Sequence, residues 1–393
     1  NVRVNRFSLA KGNVADSYRM SVSAIADGNI KNYNIPQASP IDINGSFKIQ
    51  FNPLALSLTK FAADFSGIKT SSDLDMIAGE YPVINSFSTN IIAQDALLLA
   101  KMFSDGMPEN LKKADGHLPL NIGINLTEPY HIGSTGSNRI SVSDMPAFTS
   151  NIEIKDADIT YPLTQKKSLK LSDINMSAFL DIDPKNRDAN KLEIYNCSFL
   201  SDGSGLSFSG SAKEILSGNP LIDADVKCIA NLSKLSKTFM PESSLKLDGV
   251  VSGCSKISCR LADLTSKKVE DLNIDGTFKS GNLKVTDTAK KIISSISDLF
   301  LDLDVVLPSL SFNSLSEGKM NLTSVSKKTV IRNLEDSSIS TIDHTRISAK
   351  LGAGGNISDP TLAGKAIIKS DRIASSKPGF KFESSDIALN IIA

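Results

Sequence analysis

The sequence predicts a mainly β protein: elongated, curved antiparallel sheets from a duplicated unit of strand, strand, short helix and strand, with few helices. Three observations carry this. Apolar residues recur with period two along most of the chain, clusters of turn-forming residues separate these runs, and one block of the sequence occurs twice in the same order.

The alternation is direct. Ile41, Ile43, Phe47, Ile49 and Phe51 alternate around Gly45, and Ile152 and Ile154 alternate with Glu153 and Lys155. Ile174, Met176, Ala178, Leu180 and Ile182 keep strict period two, and Leu272, Ile274 and Phe278 repeat the form around Gly276. Ile347, Ala349 and Leu351 follow, then Phe380 with Phe382, then Ile387, Leu389 and Ile391. Successive side chains of a strand point to opposite faces, so such a pattern means one apolar and one polar face, as in antiparallel sheets. Between the runs stand Asp202-Gly203-Ser204-Gly205, Ser217-Gly218-Asn219-Pro220, the stretch Gly352 to Gly355, and Asp359-Pro360. These residues favour turns.

Three short stripes at helical spacing interrupt the strands. Asp95 precedes Ala96, Leu99, Ala100 and Phe103; Asn231 precedes Leu232, Leu235, Ser236 and Phe239; Thr286-Asp287 precedes Ala289, Ile292, Ile293, Ile296 and Phe300. Asp and Asn are good N-caps, and a spacing of i, i+3, i+4, i+7 puts apolar side chains on one helix face.

The first two stripes match without a gap: Asp95 with Asn231, Leu99 with Leu235, Lys101 with Lys237, Phe103 with Phe239. Downstream, Met107-Pro108-Glu109 corresponds to Met240-Pro241-Glu242, and Asp115-Gly116 to Asp248-Gly249. Upstream, Pro82-Val83-Ile84 corresponds to Pro220-Leu221-Ile222, and Phe65-Ser66-Gly67 to Phe208-Ser209-Gly210. Repeated units of this kind bury a face on their neighbours. Three regions are expected: 1–145, with the first copy near 41–126; 146–345, with the second copy near 191–285 and a helix near 287–300; and 346–393, a partial third copy through Asp359-Pro360-Thr361-Leu362.

Composition narrows function. Lys plus Arg and Asp plus Glu are 43 each, so there is no basic excess for phosphate binding, and no nucleic-acid partner is expected. Aromatics are 6% of residues and Trp is absent, which weighs against a glycan-stacking surface. No run approaches the roughly 18 apolar residues of a membrane-spanning helix. The chain begins at Asn1, and a signal or anchor segment is expected to have been removed.

Chemistry-bearing motifs are sparse. The cysteines Cys197, Cys228, Cys254 and Cys259 form no metal-ligand spacing and are expected to be free thiols, with Cys254 and Cys259 on opposite strand faces. His117, His131 and His344 stand apart in polar, turn-like settings. Gly352-Ala353-Gly354-Gly355 lacks the Lys and the following helix of a phosphate loop and reads as a hairpin turn. Asp181 and Asp183 flank Ile182; such a pair can bind a cation or hydrolyse a glycoside, but it reads first as a solvated strand end before Pro184. Asp302 and Asp304 read as the polar face of a strand. No metal, no cofactor and no catalytic residues are expected.

The segment from about Lys191 to Val285 resembles the AsmA family. The resemblance is carried by Leu206-Ser207-Phe208-Ser209-Gly210-Ser211, by Asn219-Pro220-Leu221-Ile222-Asp223-Ala224-Asp225, and by Ile229-Ala230-Asn231-Leu232 with Leu235. Leu247-Asp248-Gly249 and Leu272-Asn273-Ile274-Asp275-Gly276-Thr277-Phe278 complete it. Residues 41–126 resemble the family more weakly, and the serine-rich, tryptophan-free composition suggests a Bacteroidetes-type member. The resemblance implies a non-enzymatic periplasmic protein of a Gram-negative envelope, held at the inner membrane by an N-terminal anchor. It implies an apolar β-groove that binds or conducts phospholipid or another acyl lipid in outer-membrane biogenesis, with envelope proteins as further partners. The lining candidates are Ile43, Phe47, Ile49, Phe51, Leu206, Phe208, Leu272, Ile274 and Phe278; the alternative for each is an ordinary closed core. A structural or scaffolding envelope protein, or a secreted glycan-binding adhesin module, is the competing reading.

Overall fold

The computed structural model describes residues 2–11, 18–30, 41–50, 54–65, 67–79, 82–97, 113–132, 145–164, 167–240, 242–263, 268–311, 314–356, 359–376 and 381–392. Among these residues antiparallel strands dominate. The chain divides into two compact units, Asn1–Leu163 with Ser172–Tyr195, and Thr164–Leu171 with Asn196–Ala393.

In the first unit, β1 (Val2–Lys11), β2 (Tyr18–Ile30), β3 (Ile41–Gln50), β4 (Ala55–Phe65), β5 (Ile68–Ile77) and β6 (Val83–Ala93) form a meander of antiparallel neighbours. β7 (Asp115–His117), β8 (Leu120–Leu126) and β9 (Tyr130–His131) follow, and both β8 and β9 return along β6. β10 (Phe148–Thr164) then pairs with β7 and β8. β11 (Lys167–Ile182) is joined to β12 (Lys191–Ser201) through a single 3-10 turn at Arg187–Ala189. The buried apolar residues of this unit are mostly alanines, with Ile68, Leu97 and Ile182 the larger ones.

From Ser204 on, the second unit is a meander of nine strands: β13 (Ser204–Lys213), β14 (Leu221–Asn231), β15 (Leu245–Asp263), β16 (Lys268–Asp287), β17 (Ile292–Ser311), β18 (Ser314–Asn333), β19 (Ile339–Asn356), β20 (Asp359–Ser375) and β21 (Lys381–Ile392). Each is antiparallel to the next, and among the described residues no pairing joins β13 to β21, so the sheet stays open. β19 runs unbroken through the expected boundary at 345/346. Helix α1 (Leu232–Phe239) sits between β14 and β15. Asn231 caps it as expected, accepting from the Lys234 amide at 3.2 Å.

The helix expected near 287–300 is instead strand. Asp287 accepts from the Ala289 and Lys290 amides, both at 3.0 Å, which closes a four-residue turn before β17 starts at Ile292. The reason is physical. An Asp bonded to the amides two and three residues on serves a turn as well as a helix cap. Ile292, Ile293 and Ile296 are β-branched, and the alternation of Leu301, Leu303, Val305 and Leu307 continues the same strand. For the first stripe, Asp95 does accept from the Leu97 amide at 3.0 Å, but the residues from 98 to 112 lie outside those described.

The duplication is visible within each unit. Pro82 precedes β6 and Pro220 precedes β14; Asp95 and Asn231 cap the segments that follow; Asp115-Gly116 and Asp248-Gly249 enter the returning strands. One step of the expected alignment is corrected. Gly67 stands at the β4–β5 turn with φ +80, whereas Phe208 to Gly210 lie inside β13; the counterpart of Gly67 is Gly203, at the β12–β13 turn with φ +72.

Gly116 and Gly249 show why the shared Asp-Gly step needs glycine. Their φ values are +137 and +123, and a Cβ would stand 2.0 Å from the Asp158 carbonyl oxygen and 2.3 Å from the Asn282 carbonyl oxygen. Gly249→Ala is expected to destabilise by about 2–3 kcal/mol, from backbone strain and from pushing β16 off β15. Urea denaturation checks it. Gly218→Ala is the control; it also has positive φ, at +84, but nothing within 4 Å of the new Cβ, and its cost is expected to be smaller.

Candidate functional site

The register of the second unit places its apolar alternation on one face. Ala224, Ile257, Ile274, Val305, Met320 and Leu351 lie opposite one another in a row across β14 to β19. Beside it runs a second row, from Phe208 and Val226 through Ser255 and Gly276 to Leu303, Leu322 and Ala349. A third runs from Leu206 and Cys228 through Gly253 to Phe278 and Leu301, and on through Ser324 to Ile347, Ile368 and Ile387. With strands about 4.8 Å apart, nine strands span roughly 38 Å.

Five of the predicted lining residues, Leu206, Phe208, Leu272, Ile274 and Phe278, therefore share this face. Leu272 stands opposite Leu307. For the others only backbone register is described: Ile43 pairs with Gly28 and Ala63, Phe47 with Ala24 and Leu58, Ile49 with Val22 and Leu56. Phe51 lies outside the described residues. Sequence reasoning missed Leu301, Leu303, Val305, Met320 and Leu322 as members of the face. Their alternation was readable, but only register, which is non-local, shows that they stand in line with Phe278.

Burial separates this face from a closed core. Val305 is 5% exposed, Ala349 6% and Ala366 3%, but Leu206, Phe208, Ile274, Phe278, Leu301, Leu303 and Leu322 remain half-buried. Among the described residues, the strands of this unit pack chiefly on their sheet neighbours, and α1 is the one helix against them, on β15 and the end of β14. Among the described residues no second layer of strands or helices packs on the rest.

Phe278 shows how the face is shaped. A Cβ on Gly253 would fall 2.3 Å from Phe278 Cδ1, and one on Gly276 would fall 3.2 Å from Phe278 Cε2. The ring thus lies down across two glycines and fills the space their missing side chains leave. Glycine here is a packing requirement, not a turn signal.

The opposite face is mostly polar, with Ile229, Val306, Val325 and Ile367 exposed among its charges. Asp225, Lys256, Asp275, Asp304, Asn321, Lys350 and Lys365 form a row across β14 to β20, with Asn321 Nδ2 donating to Asp304 at 3.0 Å. A shallow hollow of about 480 Å³ lies here, lined by Asp223, Asp225, Lys256, Asp275 and Asp304 among others. Among the described residues no group of three or more His, Cys, Asp or Glu stands close enough to hold a metal ion.

The remaining candidates are placed as follows. All four cysteines are free; Cys259 is buried and Cys254 exposed, on opposite faces of β15. Burial raises the pKa of the Cys197 and Cys259 thiols, with the charge of Asp223 adding to the effect at Cys259. The histidines are exposed strand residues rather than turn residues, and His344 Nδ1 stands 3.1 Å from Asp371. Asp183 accepts from the Lys185 and Asn186 amides at 3.0 and 3.3 Å, so its carboxylate organises a turn. Gly352 to Gly355 run along β19 as strand rather than turn.

No family model, no curated protein and no solved structure matches the chain.

Proposed function

We propose that this chain is a non-enzymatic protein of the cell envelope that binds or conducts acyl lipid along the apolar face of its second unit, in the manner of the AsmA-like proteins. In that reading it works in the periplasm, tethered to the inner membrane of a Gram-negative bacterium, and serves outer-membrane biogenesis. One observation carries the proposal: the open sheet runs through nine antiparallel neighbours in the second unit, and their apolar face has no covering layer among the described residues. A scaffold with a filled core and a polar exposed face is the reading this arrangement disfavours. Removing an acyl methylene from water contributes about 0.8 kcal/mol, so a continuous apolar band holds a chain without any specific polar contact.

The absence of tryptophan gives a direct test. Leu303→Trp places a single indole in the middle of the band, between Gly276 and Leu322. Phospholipid with brominated acyl chains is expected to quench its fluorescence, and organic extraction of the purified wild type is expected to release lipid detectable by mass spectrometry. A folded Leu303→Trp protein that is not quenched, together with a lipid-free extract, would end the acyl-lipid reading and put the scaffold first.

A further inference from the structure

The polar face of the second unit is divided by charge. Toward β14–β17 it carries Asp223, Asp225, Asp275, Asp302 and Asp304, interleaved with Lys227, Lys256 and Lys279. On β18, β19 and β20 it carries Lys319, Arg346, Lys350, Lys365 and Lys369, all exposed, and no acidic residue among them at these register positions. Asp304 on β17, bonded to Asn321, borders this patch on one side, and the exposed Asp371 on β20, 3.1 Å from His344 Nδ1, borders it beyond Lys369.

Within that patch cations face each other. Lys350 is directly opposite Lys365, and Arg346 directly opposite Lys369. At Lys350 and Lys365, like charges about 5 Å apart repel, and an anion between them relieves the repulsion. These are interior strands of the sheet, so the lysines do not serve as guards of an open edge. Between the two cation pairs stands Ile367, 46% exposed, and beside Arg346 stands Val325, 40% exposed. Exposed aliphatic side chains set among cations suit a bilayer surface, where the cations meet phosphates and the aliphatics enter the interface. A nucleic acid has no place for the aliphatics and is better met by aromatic residues.

We propose that the β18–β20 patch, centred on Lys350, Lys365 and Ile367, docks the second unit onto an anionic phospholipid bilayer through the face opposite the apolar band. This stands apart from the acyl-lipid reading, because it uses the other side of the sheet.

The test is flotation of the whole chain with phosphatidylcholine vesicles, with and without phosphatidylglycerol. Binding to the anionic vesicles only is expected, falling as salt rises from about 0.1 to about 0.5 M. Lys350→Glu with Lys365→Glu is expected to weaken it ~10-fold or more, and the milder Lys350→Gln with Lys365→Gln to weaken it less. Ile367→Ala is expected to weaken it several-fold, and Leu303→Asp, on the apolar face, to leave it unchanged. Folding of each variant is checked by circular dichroism. Undiminished binding by a folded charge-reversal variant overturns the proposal. So does binding lost in Leu303→Asp but kept in the lysine variants, which assigns the contact to the apolar band. Equal binding to a DNA oligonucleotide, indifferent to Ile367→Ala, overturns the bilayer in favour of a general polyanion.

Discussion

Leu303→Asp is expected to abolish the proposed acyl-lipid uptake at neutral pH, with a loss of about 100-fold or more. Leu303 stands in the middle of the apolar band, between Gly276 on β16 and Leu322 on β18. A half-buried leucine there is open to water when the band is empty, so a carboxylate is tolerated and the fold is retained. Once an acyl chain lies over it, that carboxylate loses water and gains no partner, at a cost of several kcal/mol. Each 1.4 kcal/mol is about tenfold in affinity. The sign of the pH dependence follows. Lipid binding favours the neutral form of the new carboxyl, so its pKa is higher in the complex than in the free protein; uptake is expected to recover as pH falls and to be lost as pH rises through that range. Ser252→Asp is the matched control. Ser252 is exposed on the other face and stands opposite Lys279, so uptake is expected to stay at the wild-type level. Binding of brominated or fluorescent phospholipid to both variants checks the prediction. Equal uptake by the two would show that the apolar face is not where the chain lies.

Much of the strand content was legible because it is local. Leu272, Ile274 and Phe278 alternate with Asn273, Asp275 and Thr277, and the sheet takes each set on its own face. Turn chemistry was equally local at Asp202-Gly203, where Gly203 adopts φ +72. What failed were places where one local pattern serves two structures. Asp287 followed by isoleucines at helical spacing fits a capped helix and also fits a turn into a strand, and the neighbouring strands decide. The glycines of Gly352 to Gly355 suggested a turn, yet they pair with residues on both sides inside β19. The candidate face was legible only strand by strand. Nothing in the chain says that Leu303 will stand opposite Gly276, because that fact belongs to register.

The Asp-Gly steps connect sequence repetition to the site. Gly116 pairs with Ile159 in the first unit and Gly249 with Leu283 in the second, each at a positive φ that leaves room for the facing carbonyl. In the second unit the step precedes the stretch of β15 that pairs with β14 from Val250 on, where Gly253 lies beneath Phe278. The repeat thus supplies the backbone geometry, and the apolar residues added by β16 to β20 extend it into the long face of the second unit. The first unit is built on the same entry step but turns back through the short strands β7 to β9.

Asn190→Ala is expected to be among the most destabilising single changes in the first unit, by ~3 kcal/mol. Asn190 is 0% exposed, the largest fully buried side chain among the described residues. Its amide nitrogen donates to the carbonyls of Asp183, Asn186 and Arg187, each at 3.0 Å, and its oxygen accepts from the Asp183 amide. One side chain therefore satisfies four backbone groups of the β11–β12 connection. Alanine leaves those groups without their partner, and each buried unpaired polar group costs roughly 1–3 kcal/mol, reduced where water can enter. Asn190→Asp sharpens the test, since it keeps the shape but turns an oxygen toward three carbonyls. Burial and those carbonyls raise the folded pKa of the new carboxyl above its unfolded value, so the folded state holds a proton that the unfolded state has released. Stability is then lost as pH rises from the unfolded pKa toward the folded one, and the deficit is expected to be larger at neutral pH than near pH 4. Urea denaturation at the two pH values checks the sign. Hydrogen exchange read by mass spectrometry locates the effect: faster exchange is expected in peptides from 172–195, with little change in peptides from 292–333. A deficit in Asn190→Ala below about 1 kcal/mol would mean that water replaces the amide, and that the four hydrogen bonds follow from the turn rather than hold it.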